Sequence, residues 1–229
     1  MENSGHNFML KRIQKINEKQ NTFKYKLYLV IKRIIDIIGS IFGIIVMIPL
    51  MLIIKISYVL IGDYKSIFYI QKRVGKNGKI IKMYKFRSMV YNADEILKEV
   101  LKDEKKLEEW KNYQKLENDP RITKIGKFLR KTSLDEFPQF LNVFKGDMTL
   151  IGPRPLVPGE LEEHHGIEAI YQSVTPGIAS YWSIHGRSNC KYEERLELEY
   201  YYIENMNLIF DIKCVIRVFF VVLGKKGAI

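Results

Sequence analysis

The chain has 229 residues, 47% of them hydrophobic, and a formal net charge of +11 at pH 7, which excludes wholesale disorder and leaves room for one globular core plus an accessory segment. The basic balance implies an acidic partner, whether nucleic acid, anionic headgroups or a polyanionic small molecule. The only cysteines, Cys190 and Cys214, form no CxxC and have no histidine at ligand spacing, which argues against a disulfide framework and a zinc site and fits a reducing compartment; His164 and His165 read as a solvated pair.

In chain order, residues 1–31 read as a basic tail that helps orient the chain. From Ile37 to Ile54 no charged residue occurs, inside a wider apolar run from Ile34 to Ile61 broken by Asp36, Lys55 and a few small or polar residues. Residues 32–61 can reach across a bilayer core, which takes about 20 apolar residues in a helix. The Lys- and Arg-rich stretch before the run, with no small-residue cleavage pattern after it, argues against a cleaved signal peptide. Pro49 removes a backbone donor and crowds the carbonyl four residues back, so a kink is expected between Ile45 and Pro49. Both flanks are basic, with Lys24, Lys26, Lys32 and Arg33 before the run and Lys72, Arg73, Lys85 and Arg87 after it. The positive-inside rule is met on both sides only when the helix enters, bends and returns to one face. We therefore expect a re-entrant membrane helix in preference to a simple span or a buried core helix.

Ser66 to Met89 reads as a hairpin turning at Gly75-Lys76-Asn77-Gly78. Asp94 to Glu117 has helical periodicity with solvated faces, and Asp119-Pro120-Arg121 ends it. Ile122 to Lys131 reads as a basic connector. Gly146 to Gly159 is loop-rich, Thr175-Pro176-Gly177 opens a second loop ending in His185-Gly186-Arg187-Ser188, and Glu193 to Ile203 reads as a helix. Leu208 to Leu223 is apolar apart from Asp211, Lys213 and Arg217. These recur at near-helical spacing, as in an interfacial helix with one polar stripe; a core helix is the rival reading.

The chemistry centres on Asp135-Glu136. Consecutive helical residues diverge by about 100°, so the two carboxylates cannot share a proton as a facing dyad and must do different work. An N-cap at Asp135 puts Pro138 at the third helical position, inside the first turn where proline is tolerated. An Asp cap and a first-turn Glu are ordinary stabilising choices. Arg130, Arg154 held between Pro153 and Pro155, and Lys85 or Arg87 change the balance, because cations around two acids suit phosphate. One carboxylate can attack phosphorus while a second holds a divalent cation, so Asp135 and Glu136 could divide those roles.

The stretches KRIIDIIG, YKFRSM, DPRITKIGKFLRKTSLDEFPQFLNVFKGDMTLIGPRP and GRSNCKYEERLELEYYYIEN resemble the bacterial sugar transferases, the monotopic phosphoglycosyl transferases that start polysaccharide assembly. The resemblance runs from about Lys32 to Val222. It implies transfer of a phosphosugar from a UDP-sugar to polyprenyl (undecaprenyl) phosphate, releasing UMP, with Mg2+ and a covalent phosphosugar intermediate. It further implies Asp135 as nucleophile, Glu136 as metal ligand or partner with Asp135 alongside it, and Lys85, Arg130 and Arg154 at the phosphates; Arg87 is a further candidate there. Arg187 is the candidate for the nucleotide. The fold implied is α+β and mostly helical: a single catalytic domain, residues 62–229, with a re-entrant helix broken near Pro49 and interfacial amphipathic helices, on the cytoplasmic face of the inner membrane. The chain departs from many members at Ile48 before Pro49, at Ala179-Ser180 and at Ser183, which bears on the helix break and on donor choice. A non-catalytic basic scaffold on the membrane surface is the alternative. Nucleic acid is not expected as a partner, since the basic residues form no single stripe and no groove-reading or stacking motif occurs. The sequence does not give an oligomeric state.

Overall fold

The computed structural model describes residues 2–113, 116–163, 166–185 and 191–223. His164, His165, Arg187 and Cys190 lie outside the described residues. The fold is α+β, mostly helical with small sheets, and consistent with one domain. The segment expected as a basic tail is instead helix α1 (Glu2–Gln20) and the first turns of α2 (Phe23–Leu60). Its amphipathic register buries Ile16, and Arg12 pairs with Glu197 at 3.0 Å and with Glu204, so this charge binds protein, while Lys11, Lys15, Lys24 and Lys26 stay exposed.

Helix α2 organises the molecule. Thr22 caps it by accepting from the Tyr25 amide at 3.2 Å. Tyr25, Tyr28, Lys32, Asp36, Ser40, Gly43, Met47, Ile54 and Tyr58 are its buried residues, spaced to form one stripe along the whole helix. The stripe holds polar locks as well as apolar contacts. Asp36 accepts from the Thr149 hydroxyl at 2.7 Å and the Leu150 amide at 2.9 Å, and the Tyr58 hydroxyl donates to the Arg87 carbonyl at 2.6 Å. On the other faces Ile34, Ile38, Phe42, Ile45, Ile48, Leu52, Ile53 and Ile56 are exposed. The helix thus hides Lys32, Asp36 and Ser40 in its stripe and shows apolar side chains on its other faces. The break expected at Pro49 is not seen as an interruption, since α2 stays helical through it. Met47 and Ile54, packed on either side of the proline, hold the adjoining turns in place.

The hairpin forms as expected. Strands β1 (Phe68–Val74) and β2 (Ile80–Phe86) pair antiparallel from Phe68↔Phe86 to Val74↔Ile80, and the turn places Asn77 at φ 57° and Gly78 at φ 74°, the left-handed region that Asn and Gly tolerate. The single helix expected over Asp94 to Glu117 is two, α3 (Ala93–Val100) and α4 (Glu104–Tyr113). The expected basic connector is helix α5 (Lys124–Lys131), capped by Thr123, which accepts from the Gly126 amide at 2.8 Å. After a 3₁₀ turn (Leu134–Glu136) comes α6 (Gln139–Lys145), ended by Gly146 at φ 89°.

Two stretches expected as loops contain strands, because their backbones pair with each other: β3 (Thr149–Ile151) and β4 (Gly177–Ala179) are parallel, with Thr149↔Gly177 and Ile151↔Ala179 in register. Short helices α7 (Glu160–Glu163), α8 (Glu168–Tyr171) and α9 (Tyr181–His185) precede α10 (Tyr192–Asn205) and α11 (Leu208–Leu223). The polar stripe expected on α11 is not solvated at Asp211, which is buried and accepts from Tyr28 and Tyr202 at 2.8 and 2.7 Å and from Lys32 at 2.6 Å. Ile209, Ile212, Val215, Ile216 and Phe220 face outward instead.

Candidate active site

The 3₁₀ turn is pinned from one side by apolar residues. Leu134, Phe137 and Leu141 pack into the cluster of Met47, Ile54, Tyr58, Phe86 and Leu129, so the turn that carries the acid pair rests directly on α2 around Pro49. Ser133 enters the turn at φ 56°. Pro138 is not the third helical residue, as expected, but the N-cap of α6. As a cap, its missing N–H leaves no intrahelical bond unmade. Asp135 therefore lies within the 3₁₀ turn, three residues ahead of the α6 cap rather than at it, and no side-chain cap bond is made there.

Helix α6 is fixed to both neighbours. Arg33 of α2 donates to the carbonyls of Val143 at 2.6 Å and Phe144 at 2.8 Å, closing its C-terminal end. Gly43 lies under the Phe140 ring, where an added Cβ would come within 2.4 Å. On the other side the buried Asn142 accepts from the Tyr84 amide at 3.0 Å and donates to the Lys82 carbonyl at 2.7 Å, tying α6 to β2 and setting the distance between the acids and Lys85.

Across that distance Lys85 donates to Glu136 Oε1 at 2.9 Å. Burial disfavours ionisation of Glu136, but the Lys85 charge and hydrogen bond, Arg154 and a hydrogen bond from Gln139 outweigh it, holding this carboxyl below the usual carboxylate range. Asp135 behaves oppositely. Burial first, then the adjacent Glu136 charge, pushes it up to about 6 against the pull of Lys85 and Arg130. One turn thus carries a firmly anionic acid and a buried acid with a basic carboxylate, the pairing that separates metal-holding from nucleophilic work.

Of the sequence candidates, the structure brings together Asp135, Glu136, Lys85, Arg130 and Arg154. Arg130 is oriented by its Nε bond to Ser88 Oγ at 2.9 Å, and the Arg154 guanidinium faces the Trp182 ring at 5.7 Å. Arg87 does not join them. It is 5% exposed, and its nitrogens bond the Ser66 and Met89 carbonyls and Asp63 while it stacks on Tyr58. It clasps the end of α2 to the hairpin, with each of its three nitrogens already bonded to protein. Gln139 and Asn142 were missed as positioning residues. Gln139 stands three residues after Glu136, a spacing at which helical side chains meet; Asn142 carried no signal, because its partners lie on a distant strand.

Among the described residues no group of three or more His, Cys, Asp or Glu could hold a metal. Mg2+ needs no such cage, since it is commonly held by one or two carboxylates plus substrate phosphates, and the half-buried Glu136, held in its anionic form by Lys85, supplies a hard oxygen donor of that kind.

Comparison with known proteins agrees with the motifs. The family model for bacterial sugar transferases matches residues 27–225. The chain is 42% identical over 225 residues to the undecaprenyl-phosphate galactose phosphotransferase of Salmonella typhimurium, covering 98% of this chain and 46% of that protein. It is 38% identical over 198 residues to the exopolysaccharide production protein ExoY of Sinorhizobium fredii, covering 86% of this chain and 87% of that protein. It is 35% identical over 206 residues to the UDP-glucose:undecaprenyl-phosphate glucose-1-phosphate transferase of Escherichia coli, covering 86% of this chain and 41% of that protein. The chain thus spans less than half the length of several curated relatives. With the family model covering almost all of it, the chain belongs to the bacterial sugar transferase family.

Proposed function

We propose that this chain transfers a phosphosugar from a UDP-sugar to polyprenyl phosphate at the cytoplasmic face of the inner membrane. The observation that carries the reading is the divided acid pair, with Glu136 paired to Lys85 and Asp135 buried beside it with a raised affinity for protons. In the first step a carboxylate oxygen of Asp135 attacks the phosphorus that bears the sugar; the Asp–phosphorus bond forms as the phosphorus–oxygen bond to UMP breaks, and UMP leaves. In the second step an oxygen of the lipid phosphate attacks the same phosphorus, and the Asp–phosphorus bond breaks to give the polyprenyl diphosphate sugar and free Asp135. Lys85, Arg130 and Arg154 bind and orient the phosphate oxygens on which charge accumulates. Mg2+, when bound, neutralises the diphosphate, and Glu136 with Asp135 would hold it.

The acceptor's route follows from α2. Its buried stripe fastens both its ends, Tyr28 and Tyr58, to the same body, whereas a helix spanning the bilayer carries one end away from its domain. The exposed apolar faces of α2 and α11 therefore enter the membrane from one side, as a monotopic anchor that needs no interruption of the helix at Pro49. The acids rest on α2 near Pro49, within reach of a phosphate at the interface.

The test is to incubate the full chain with Mg2+, undecaprenyl phosphate and a panel of UDP-sugars, UDP-galactose and UDP-glucose among them, and to read UMP. Release from at least one donor, with a trapped phosphosugar adduct on Asp135, is expected. No release from any donor, together with salt-sensitive vesicle binding indifferent to metal and nucleotide, would leave the scaffold reading. Cysteine labelling at both flanks of α2 checks the topology, and access from opposite membrane faces overturns the monotopic reading.

A further inference from the structure

Four buried side-chain polar atoms among the described residues have no hydrogen-bond partner, and all four belong to one cluster: Arg73 Nε, Arg154 Nε, Arg195 Nε and Glu199 Oε2. The residues come from β1, from the segment after β3 and from α10. Groups of this kind are ordinarily paired, because an unmet donor loses its hydration and gains nothing. Three of the four are guanidinium donors and one is a carboxylate acceptor, so this electrostatically joined cluster holds more unmet donors than acceptors, an excess that suits an anion.

The charge count points the same way. Glu160 is the carboxylate shared by the cluster: it accepts from Arg195 Nη2 at 3.0 Å and the Tyr192 hydroxyl at 2.9 Å, and lies 3.9 Å from Arg73. Burial works against its ionisation, but the Val157 amide, Arg195 and Arg154 hold it below the usual range. Glu199 is no second counter-ion of equal weight, since burial pushes it up to about 7. Burial and the charge of Arg154 bring Arg73 down to about 10 despite Glu160. Three cations thus share one firm anion. Their orientation is set before any ligand arrives: Arg73 also donates to the Pro155 carbonyl at 3.3 Å and to Gln71 at 2.8 Å, and Arg195 stacks between the Trp182 and Tyr192 rings at 4.7 and 4.9 Å. Arg154 joins this cluster to the catalytic acids, because its charge acts on Glu136 and on Glu160 alike.

We propose that Arg73, Arg154 and Arg195 form a second phosphate subsite, adjoining the acid pair, that holds the phosphate which stays on the nucleotide when the phosphosugar is transferred. The assignment rests on the reaction proposed above. A nucleoside monophosphate and a lipid phosphate present the same dianion. The nucleotide is favoured because the catalytic turn packs its apolar side on α2, from which the lipid arrives, while the arginines lie with α10 and the β1 strand. A guanidinium fork matches phosphate oxygens two at a time.

The experiment measures UMP binding by calorimetry to the full chain in nanodiscs with Mg2+, for wild type, Arg73→Gln, Arg195→Gln, Arg195→Lys and Glu160→Gln. Arg73→Gln and Arg195→Gln should each weaken UMP at least tenfold and raise the KM for the UDP-sugar more than they lower kcat. Arg195→Lys should fall between, and Glu160→Gln should tighten UMP severalfold by removing the competing anion. A merely structural cluster gives a different result: lower thermal midpoints throughout, and UMP affinity within twofold of wild type in every folded variant, Arg195→Lys included. That result overturns the subsite. A parallel titration with a short-chain polyprenyl phosphate identifies the source, and its displacement of UMP with equal sensitivity to the arginine variants would assign the cluster to the acceptor instead. Because UMP binding needs no turnover, the two proposals fail separately. Arginine-dependent UMP binding without UMP release from any donor sinks the reaction and keeps the subsite, and release with unaltered affinities does the reverse.

Discussion

Two lysine–carboxylate pairs in this molecule look alike on paper and differ in use. Lys32 meets Asp211 at 2.6 Å, and Lys85 meets Glu136 at 2.9 Å. Around the first, both groups are heavily engaged by protein: Asp211 also takes the Tyr28 and Tyr202 hydroxyls, and Lys32 also donates to the Ile151 carbonyl. The side chains are 11% and 10% exposed there, against 23% and 40% at the second. The second pair stands beside Asp135, Arg130 and Arg154 and keeps acceptor and donor capacity for a ligand. A saturated pair fastens α11 and β3 to α2; an unsaturated one is available for chemistry. The contrast is one of partners rather than residue type.

The sharpest way to break this comparison is Asp135→Asn. Turnover measured as UMP release should fall by at least about a thousandfold, as expected on losing a nucleophile, with membrane association retained. Activity near wild type would remove Asp135 from the mechanism and reduce the second pair to a surface contact. Next come the lysines themselves. Lys32→Ala strands a buried carboxylate, which costs about 3–5 kcal/mol in denaturant or thermal unfolding, and Lys32→Met with Asp211→Leu should recover much of that. Lys85→Ala should lower stability by no more than about 1 kcal/mol yet reduce turnover by roughly a hundredfold or more. Equal stability losses at the two sites would show that saturation is not what separates them.

A smaller effect tests how α2 carries the site. Gly43→Ala places a Cβ within 2.4 Å of the Phe140 ring, and the resulting overpacking should cost about 1–3 kcal/mol. The same change should lower turnover, because α6 and the catalytic turn move together. Gly43→Ala with Phe140→Leu should relieve the clash and restore activity in part. Full activity in the single variant would show that α6 is not positioned by α2.

What was legible in the sequence follows from the range of each interaction. The hairpin, α10 and α11 could be read because turn residues and periodicity are local. So could Asp135, Glu136, Lys85, Arg130 and Arg154, through motif spacing. The errors came from charges whose partners lie far along the chain. Lys32, Arg33 and Arg87 counted as basic flanks of a membrane helix, yet they bond Asp211, the end of α6 and Asp63 across separations the sequence does not display. The parallel pairing of β3 with β4 was missed for the same reason, since each strand has three residues and neither has a pattern of its own. Pro138 was placed by a correct rule in the wrong turn, because a 3₁₀ segment ahead of α6 has no periodicity to announce it.

The finest test uses pH, where the two acids of the site should part company. Burial and the Glu136 charge raise Asp135 to about 6 in the folded chain, above its value of about 3.9 when unfolded. The folded state therefore binds the proton more tightly. Stability contributed at this group is fully present below pH about 3.9 and is lost as pH rises through about 6. Asp135→Asn should accordingly unfold at a higher temperature than wild type at pH 7.5, with the gap closing towards pH 5. The reaction needs the ionised form, so kcat/KM for the UDP-sugar should fall about tenfold per pH unit below pH about 6. Glu136, shifted the other way, contributes stability that is retained at these pH values and lost only at more acidic ones. A flat kcat/KM profile from pH 5 to 8 would mean that Asp135 is not the group whose ionisation limits attack, and the distinction drawn between the two acids would fall with it.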